Sequence, residues 1–266
     1  MTRLCLIPAY NTAALVAKVV RAAKPFCDHI VVVDDGSSDG TLESATSAGA
    51  SVIRLGQNRG KGAALRAGLE DVKARTSHVI VMLDADGEHD PRDIPALCHP
   101  IETGVCEYTT GTRAVSRSRL ALAGTGLEPY VADWFGVDTP DPTSGFRAFS
   151  NQVVSEMALF SQGFGIDVEL SVRAALSCHR GRAVPIRNSA SPKAIEFDAP
   201  MLLDFFATVL RLLEENELPA SSRVKEYAQA LENRAPVVTL HEHNEVSLFR
   251  DPTRDVYRIS SEPTAI

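Results

Sequence analysis

The sequence predicts an α/β fold with a Rossmann-like, mostly parallel central sheet flanked by helices. Two observations predict it. Short apolar runs typical of buried strands alternate with segments of helical spacing, and the early apolar runs end abruptly in polar turns. This alternation indicates βαβ units with right-handed crossovers. Because ligands of such sheets bind at the carboxyl ends of the strands, the polar turns also predict where a site lies.

The first third of the chain shows the alternation most clearly. Residues 4–7 and 30–33 predict buried strands, and residues 12–23 predict a helix between them. The pattern continues with a helix at 41–48, a strand at 51–55, a helix ending at 72 and a strand at 78–83. We therefore expect the polar turns at 8–11, 34–39 and 84–90 to meet at one edge of the sheet.

The pattern loosens after Pro91. It predicts, in order, a helix at 93–99, a strand at 107–112, a pair of surface helices within 116–137, a strand ending at 150, helices at 151–160 and 167–178, a strand at 183–186 and a helix at 199–216. That last helix has a polar stripe of Asp204, Thr208 and Arg211 and is otherwise broadly apolar. We divide the chain into residues 1–216 and a C-terminal extension, 217–266. The extension is predicted to hold a helix at 221–233 and a β-hairpin or meander from 237–240, 246–248 and 256–259.

Composition excludes several classes of protein. The net charge of −7 over 266 residues argues against a general nucleic-acid binder. Five scattered cysteines suggest neither a disulfide framework nor a zinc site. No stretch approaches the roughly 20 apolar residues that span a bilayer, and no signal-peptide pattern precedes the first strand. We expect a cytoplasmic protein whose contact with membrane, if any, is peripheral.

The fourth predicted strand ends in a cluster of acids. Five consecutive apolar residues, 79–83, are followed by acids at every second position: Asp84, Asp86, Glu88 and Asp90. Acids at this spacing in an extended segment share one side, so two or three carboxylates could meet one Mg²⁺ or Mn²⁺ ion. A solvated acidic turn is the alternative, and the position at the carboxyl edge of the sheet favours the metal site.

Five motifs occur in a fixed order between about residues 3 and 213. They are Ile7-Pro8-Ala9-Tyr10-Asn11, Val32-Val33-Asp34-Asp35-Gly36-Ser37-Ser38-Asp39-Gly40-Thr41, Asn58-Arg59-Gly60-Lys61-Gly62, Asp84-Ala85-Asp86-Gly87-Glu88-His89-Asp90-Pro91 and Thr143-Ser144-Gly145-Phe146-Arg147. With this ordered set the chain resembles the family 2 inverting glycosyltransferases of the GT-A fold, and most closely the dolichol- or polyprenyl-phosphate sugar synthases.

The resemblance implies a site for a nucleoside-diphosphate sugar, with a UDP-sugar favoured over a GDP-sugar. Asp84 and Asp86 match the family's Asp-x-Asp pair, which implies Mg²⁺ or Mn²⁺ bound by Asp86, Asp84 and Glu88. The remaining donor contacts that it implies are Pro8, Ala9, Tyr10, Asn11, Asp35, Lys61 and Ala85, with Arg187 and Lys193 on a loop that closes over the diphosphate.

The resemblance also implies an acceptor side. Arg113 falls at the position that contacts the acceptor phosphate in the lipid-phosphate branch of the family, and Arg117 and Arg119 could assist it with charge-assisted hydrogen bonds. Ser144 and Arg147 belong to the acceptor-side loop. A phosphate is already ionised and needs no protein base, whereas a hydroxyl acceptor needs a carboxylate, for which Asp141 is the candidate. Polyprenyl phosphate on a membrane and a soluble metabolite both stay open as acceptors.

Some features depart from the family pattern. Thr12 stands where relatives carry Glu, the loop 187–193 lacks the usual Gly, and residues 116–137 are less apolar than in relatives. A sugar nucleotidyltransferase or a non-catalytic nucleotide-binding protein is an alternative class. The Gly-rich first turn that is typical of the nucleotidyltransferases is missing from this sequence. A dinucleotide-dependent oxidoreductase is disfavoured because no Gly-x-Gly-x-x-Gly follows the first strand.

Overall fold

The structure is a computed structural model. It describes residues 1–75, 77–113, 128–138, 141–187, 196–218, 222–233, 235, 237–240, 246–251 and 256–260. Three of the sequence-predicted residues of interest, Arg117, Arg119 and Lys193, lie outside these ranges, as does most of the predicted pair of helices within 116–137.

Seven described strands form the central sheet in the order β3-β2-β1-β4-β6-β5-β7. Their bounds are β1 (Arg3–Ala9), β2 (His29–Asp34), β3 (Ser51–Arg54), β4 (Val79–Met82), β5 (Tyr108–Arg113), β6 (Arg147–Ser150) and β7 (Gly181–Ile186). Strands β1 to β4 run parallel to one another, β5 is parallel to β7, and β6 is antiparallel to both of its neighbours, β4 and β5. The prediction of a mostly parallel central sheet is confirmed.

Helices cover both faces of this sheet. The described helices are α1 (Ala13–Ala23), α2 (Thr41–Ser47), α3 (Lys61–Lys73), α4 (Ile94–Glu102), α5 (Glu128–Phe135), α6 (Asn151–Glu156), α7 (Ile166–Leu176), α8 (Ala199–Glu215) and α9 (Ser222–Glu232). Alternation along β1 divides the core: Cys5 and Ile7 pack with α1, α2 and α4, whereas Leu4 and Leu6 pack with α3, α6 and α7. Continuous apolar runs are therefore required, because both faces of the strand are buried.

Helix α6 is shorter than the predicted 151–160. It ends at Glu156, and the chain then runs without helix to α7. The buried carboxylate of Glu169 on α7 accepts hydrogen bonds from the backbone N–H groups of Phe160 and Ser161, at 3.1 and 2.7 Å. These donors therefore have a tertiary partner that replaces the helical one, which a local sequence pattern does not reveal.

The apolar face of α8 is covered by other helices of the same chain. Its residues Leu202, Phe205, Phe206, Val209, Leu212 and Leu213 are fully buried in a cluster completed by side chains of α5, α7 and α9. In this arrangement the face is not a surface for lipid. Within the described residues, no helix combines the length and the apolar composition needed to cross a bilayer.

The C-terminal strands form a second, antiparallel sheet of four described strands in the order β8-β11-β10-β9. The strands are β8 (Glu196–Asp198), β9 (Val237–Leu240), β10 (Val246–Asp251) and β11 (Val256–Ser260). The last three form the predicted meander, and β8, which precedes α8, adds to its edge by pairing with β11. The extension thus shares its sheet with a strand from before residue 216, where we placed the boundary.

Truncating a ring in the α8 cluster should be costly. Phe206 is 0% exposed and contacts Phe205, Trp134 and Tyr227. We expect Phe206→Ala to lower the free energy of unfolding by about 3–5 kcal/mol, because it removes buried area and leaves a cavity. Urea denaturation followed by circular dichroism measures this loss.

Phe160→Ala is the matched control, because that ring is 54% exposed. It should cost about 1 kcal/mol, the scale of its cation–π contacts with Arg173 and Arg211. Equal losses for the two variants would contradict the burial described for α8.

Candidate active site

A cavity of about 1090 Å³ opens at the carboxyl edge of the parallel strands. The turns that follow β1, β2, β3 and β4 line one side of it, and the ends of β5, the 141–147 loop, α7 and α8 line the other. The residues that line it include Pro8, Ala9, Tyr10, Asp35, Asn58, Arg59, Lys61, Asp84, Ala85, Asp86, Glu88, His89, Arg113, Thr143, Gly145, Gln162, Gly163, Phe164, Asp167, Met201 and Asp204. The structure therefore brings together the polar turns that the sequence predicted would meet.

Asp35 fixes the loop that leads into α3. Its carboxylate accepts hydrogen bonds from the backbone N–H groups of Arg59, at 2.9 Å, and Gly60, at 2.7 Å. Asn11 similarly joins two turns, since its side-chain oxygen accepts from Ser38 N–H at 3.0 Å, and it is not among the residues lining the cavity. Its φ of +50° is the left-handed region that Asn tolerates better than most residues. Asp35 and Asn11 thus have structural contacts in addition to the predicted donor contacts.

Lys61, the first residue of α3, lies between two carboxylates. Its Nζ is 2.8 Å from Asp84 Oδ1 and 2.8 Å from Asp167 Oδ2. Burial lowers the pKa of Lys61, but the charges of Asp167 and Asp84 outweigh that effect and raise it well above its usual value. Burial raises the pKa of Asp84, but the charge of the adjacent Lys61 outweighs burial and leaves that pKa lower than usual. For Asp167 burial is the larger effect, and its pKa is raised. Lys61 is therefore charged at neutral pH.

Asp167 is a site residue that the sequence analysis missed. It lies 106 positions from Lys61 and is 2% exposed. The only local signal is an acid among the buried residues Ile166, Val168 and Leu170 at the start of α7, and an acid in a first helical turn is equally typical of a favourable helix-dipole contact.

Asp86 and Glu88 present oxygen atoms next to this ion pair. Asp86 Oδ1 accepts from Glu88 N–H at 2.9 Å, and loss of hydration together with the charge of Asp84 raises the pKa of Asp86. His89 Nε2 is 4.0 Å from Asp84 Oδ2, and its buried Nδ1 has no hydrogen-bond partner among the described residues. The cluster thus concentrates negative charge at the cavity wall.

The donor set fits a hard divalent cation that is only partly ligated by protein. No three acid, histidine or cysteine side chains of the described chain converge as a ready-made metal site. Mg²⁺ in particular is usually held by one or two carboxylates and completed by water and substrate phosphates. Asp86 with Asp84 or Glu88 could hold such an ion, with water or a bound diphosphate supplying the remaining oxygen atoms.

Arg113 connects the acid turn with the opposite wall. Its Nε and Nη2 donate to both oxygens of Asp141, at 2.9 and 2.7 Å, and Nη2 also donates to Thr143 Oγ1. Its Nη1 is 3.4 Å from Glu88 Oε1. Asp141 here is the partner of Arg113, and its role as a base stays a prediction.

Arg147 supports the 141–147 loop from beneath. It is 1% exposed, and it donates to the carbonyl oxygens of Ser144 and Pro142, each at 2.6 Å. Burial lowers its pKa. A Cβ on Gly145 would lie 1.9 Å from Asp84 Oδ2, so the loop reaches the acid turn only because Gly is there. These contacts favour a structural role for Arg147 over a catalytic one.

Arg187 lies at the end of β7, where its backbone N–H donates to Asp93 Oδ2 at 2.6 Å. Its side chain is 62% exposed and does not line the cavity. A contact between Arg187 and a diphosphate stays a prediction.

The segment 161–165 packs on the start of α3 and so shapes the cavity. Ala63 N–H donates to Gln162 O at 3.0 Å, and a Cβ on Gly62 would lie 2.3 Å from Ser161 O. We expect Gly62→Ala to cost about 1–3 kcal/mol of stability through overpacking against backbone. Thermal denaturation measures it.

Gly56→Ala serves as the control, since a Cβ there meets nothing within 4 Å. It should change stability by about 0.5 kcal/mol or less. A Gly62→Ala protein as stable as the control would show that the 161–165 segment does not lie against α3 in solution.

Residues 5–157 match the family described as "Glycosyl transferase family 2". "Glycosyltransferase AglJ" of Haloferax volcanii is 33% identical over 192 residues, which is 68% of this chain and 60% of that protein's length. "Undecaprenyl-phosphate mannosyltransferase" of Micrococcus luteus is 31% identical over 207 residues, covering 70% of this chain and 83% of that protein.

The fold is also found among solved structures. A Mycobacterium tuberculosis glucosyl-3-phosphoglycerate synthase, in complex with Mn²⁺ and uridine-diphosphate-glucose, superposes with a TM-score of 0.61 at 20% identity, covering 93% of this chain and 86% of that one. This likeness supports the GT-A fold that the sequence predicted. The match over residues 5–157 confirms the resemblance: the chain belongs to glycosyltransferase family 2.

Proposed function

We propose that this protein transfers a sugar from a nucleoside-diphosphate sugar to the phosphate of a polyprenyl phosphate, with a divalent cation at the acid turn. The observation that carries the proposal is the position of Arg113. Its guanidinium lies on the cavity wall within 3.4 Å of Glu88. A cationic side chain for an acceptor phosphate therefore lies beside the acids that would bind the metal ion, and the metal ion would in turn hold the departing diphosphate.

The donor is assigned to the side of the cavity formed by the turns after β1, β2 and β3. The half-exposed ring of Tyr10 lies at its mouth. The N-terminus of the 13-residue helix α3 and the Lys61 ammonium lie beside the acid turn, and both favour a bound diphosphate. We favour a UDP-sugar, as in the Mycobacterium tuberculosis enzyme bound to Mn²⁺ and UDP-glucose.

The reaction would be one displacement at the anomeric carbon with inversion. An acceptor phosphate oxygen forms the new bond while the bond to the nucleoside diphosphate breaks. The phosphate is ionised at neutral pH, so no base is needed, which suits a site in which Arg113 engages both oxygens of Asp141. A bound Mg²⁺ or Mn²⁺ would neutralise charge on the departing diphosphate.

The polyprenyl acceptor is supported by the names of the Micrococcus luteus relative and of "Polyprenol monophosphomannose synthase" from Mycolicibacterium smegmatis. One observation favours a second candidate, the hydroxyl of a soluble acceptor. The apolar face of α8, which would otherwise suit a membrane surface, is covered by α5, α7 and α9. This reaction would need Asp141 to leave Arg113 and act as the base.

A partition assay separates the two candidates. The purified protein is incubated with Mn²⁺, radiolabelled UDP- and GDP-sugars, and either a short-chain polyprenyl phosphate in detergent or a set of soluble hydroxyl acceptors. We expect label in the butanol phase that depends on the lipid phosphate and is abolished by EDTA. The corresponding polyprenol without phosphate is the control. Label found only in water-soluble product would overturn the lipid acceptor, and transfer to no acceptor would overturn both.

A further inference from the structure

The Lys61 ammonium contacts the Asp84 carboxylate, which a divalent cation would also need as a ligand. Its Nζ is 2.8 Å from Oδ1 and 3.1 Å from Oδ2 of Asp84, so both oxygens face the ammonium. A divalent ion and an ammonium compete for the same oxygens, because both are cations. Binding of a metal through Asp84 therefore requires Lys61 to give up part of this contact.

Asp167 supplies the other contact of Lys61. Its Oδ2 lies 2.8 Å from Nζ, on the side of the ammonium contributed by α7. Asp167 is almost fully buried, and α7 is fastened to the acceptor loop one turn further on, where Ser171 Oγ donates to Pro142 O at 2.9 Å. The Asp167 carboxylate is therefore fixed, whereas the side chain of Lys61 has rotatable bonds that let its ammonium shift between the two acids.

We propose that Asp167 is a positioning residue for Lys61. It keeps the Lys61 ammonium in the cavity when Asp84 binds a divalent cation that holds the donor diphosphate. Without Asp167, the ammonium has only Asp84 and stays there. This inference rests on the proposed function, because it assumes that the acid turn binds a cation. It extends that function to a residue of α7.

Mn²⁺ titration without nucleotide, followed by the electron paramagnetic resonance signal of the free ion, tests the proposal. We expect Asp167→Asn to weaken Mn²⁺ binding about fivefold and Lys61→Met to strengthen it about fivefold. The double variant should bind Mn²⁺ within about twofold of Lys61→Met, because Asp167 acts through the lysine. Glu102→Gln, which breaks the remote pair between Arg3 and Glu102, should leave Mn²⁺ binding unchanged.

The outcomes separate this proposal from the proposed function. If Asp167→Asn weakens Mn²⁺ binding equally with and without Lys61, Asp167 acts only through its own charge, and the positioning role is overturned while the cation site stands. If wild type binds no Mn²⁺ even with UDP present, both are overturned. Lys61→Met leaves a buried acid unpaired, so it could misfold. The double variant, which removes both charges, must then bind Mn²⁺ more tightly than Asp167→Asn, and weaker or equal binding overturns the proposal.

Discussion

Replacing Asp86 with Asn should reduce sugar transfer by at least about 10²- to 10³-fold in kcat, since it removes a charge that would hold the cation beside the leaving diphosphate. The variant should remain folded, because the Asn side-chain oxygen can still accept from Glu88 N–H, as Asp86 Oδ1 does at 2.9 Å. Steady-state rates with saturating donor and Mn²⁺ measure the loss, and thermal denaturation confirms folding.

Asp90→Asn is the matched control, since Asp90 belongs to the same run of acids but pairs with Arg92. Its Oδ1 accepts from Arg92 N–H at 3.0 Å, and Asn can replace that contact. This variant should keep kcat within about threefold of wild type, as expected for a surface ion pair. Similar losses for both variants would mean that the acid turn acts through its overall charge, and the specific role of Asp86 would be lost.

Replacing Arg113 with Met should act on the acceptor and spare the donor. We expect kcat/KM for the acceptor to fall about 10²-fold, since a charge-assisted contact with phosphate is lost, while KM for the donor changes less than about threefold. Initial rates with each substrate varied in turn give both values. A large rise in donor KM with unchanged acceptor KM would contradict the placement of the acceptor phosphate.

The Arg113→Met substitution also leaves the buried Asp141 carboxylate without the guanidinium that neutralises it. That penalty could lower activity through misfolding, so the double variant Arg113→Met/Asp141→Asn is the control. It should regain most of the stability lost in Arg113→Met without regaining acceptor binding. Recovery of activity in the double variant would show that Arg113 serves only to neutralise Asp141.

Much of the fold follows from local pattern. Strands β1, β2 and β4 were predictable because burial on both faces demands continuous apolar runs, and the carboxyl-edge rule placed Asp35, Asp84 and Asp86 around one cavity. These predictions depend on residues close in sequence and on a general property of parallel sheets.

The rest depends on contacts between distant residues. Asp167 meets Lys61 across 106 positions, and Asp141 meets Arg113 across 28; neither pairing leaves a periodic signal. The pattern of α8 predicts an apolar face but cannot say whether lipid or another helix covers it, and the structure shows other helices. The early end of α6 likewise depends on Glu169, which captures the Phe160 and Ser161 N–H groups from another helix.

In the proposed reaction, the bond broken in the donor is the one between the anomeric carbon and the diphosphate. Phosphorus-31 NMR of a reaction with Mg²⁺, a UDP-sugar and a short-chain polyprenyl phosphate follows every phosphorus atom involved. We expect the donor signals to give way to nucleoside diphosphate and an equal amount of a glycosyl phosphodiester. Release of nucleoside monophosphate would contradict this site of cleavage, because that product requires cleavage within the diphosphate. A spectrum that stays unchanged with both UDP- and GDP-sugars, in the presence of folded protein, would contradict the proposed transfer altogether.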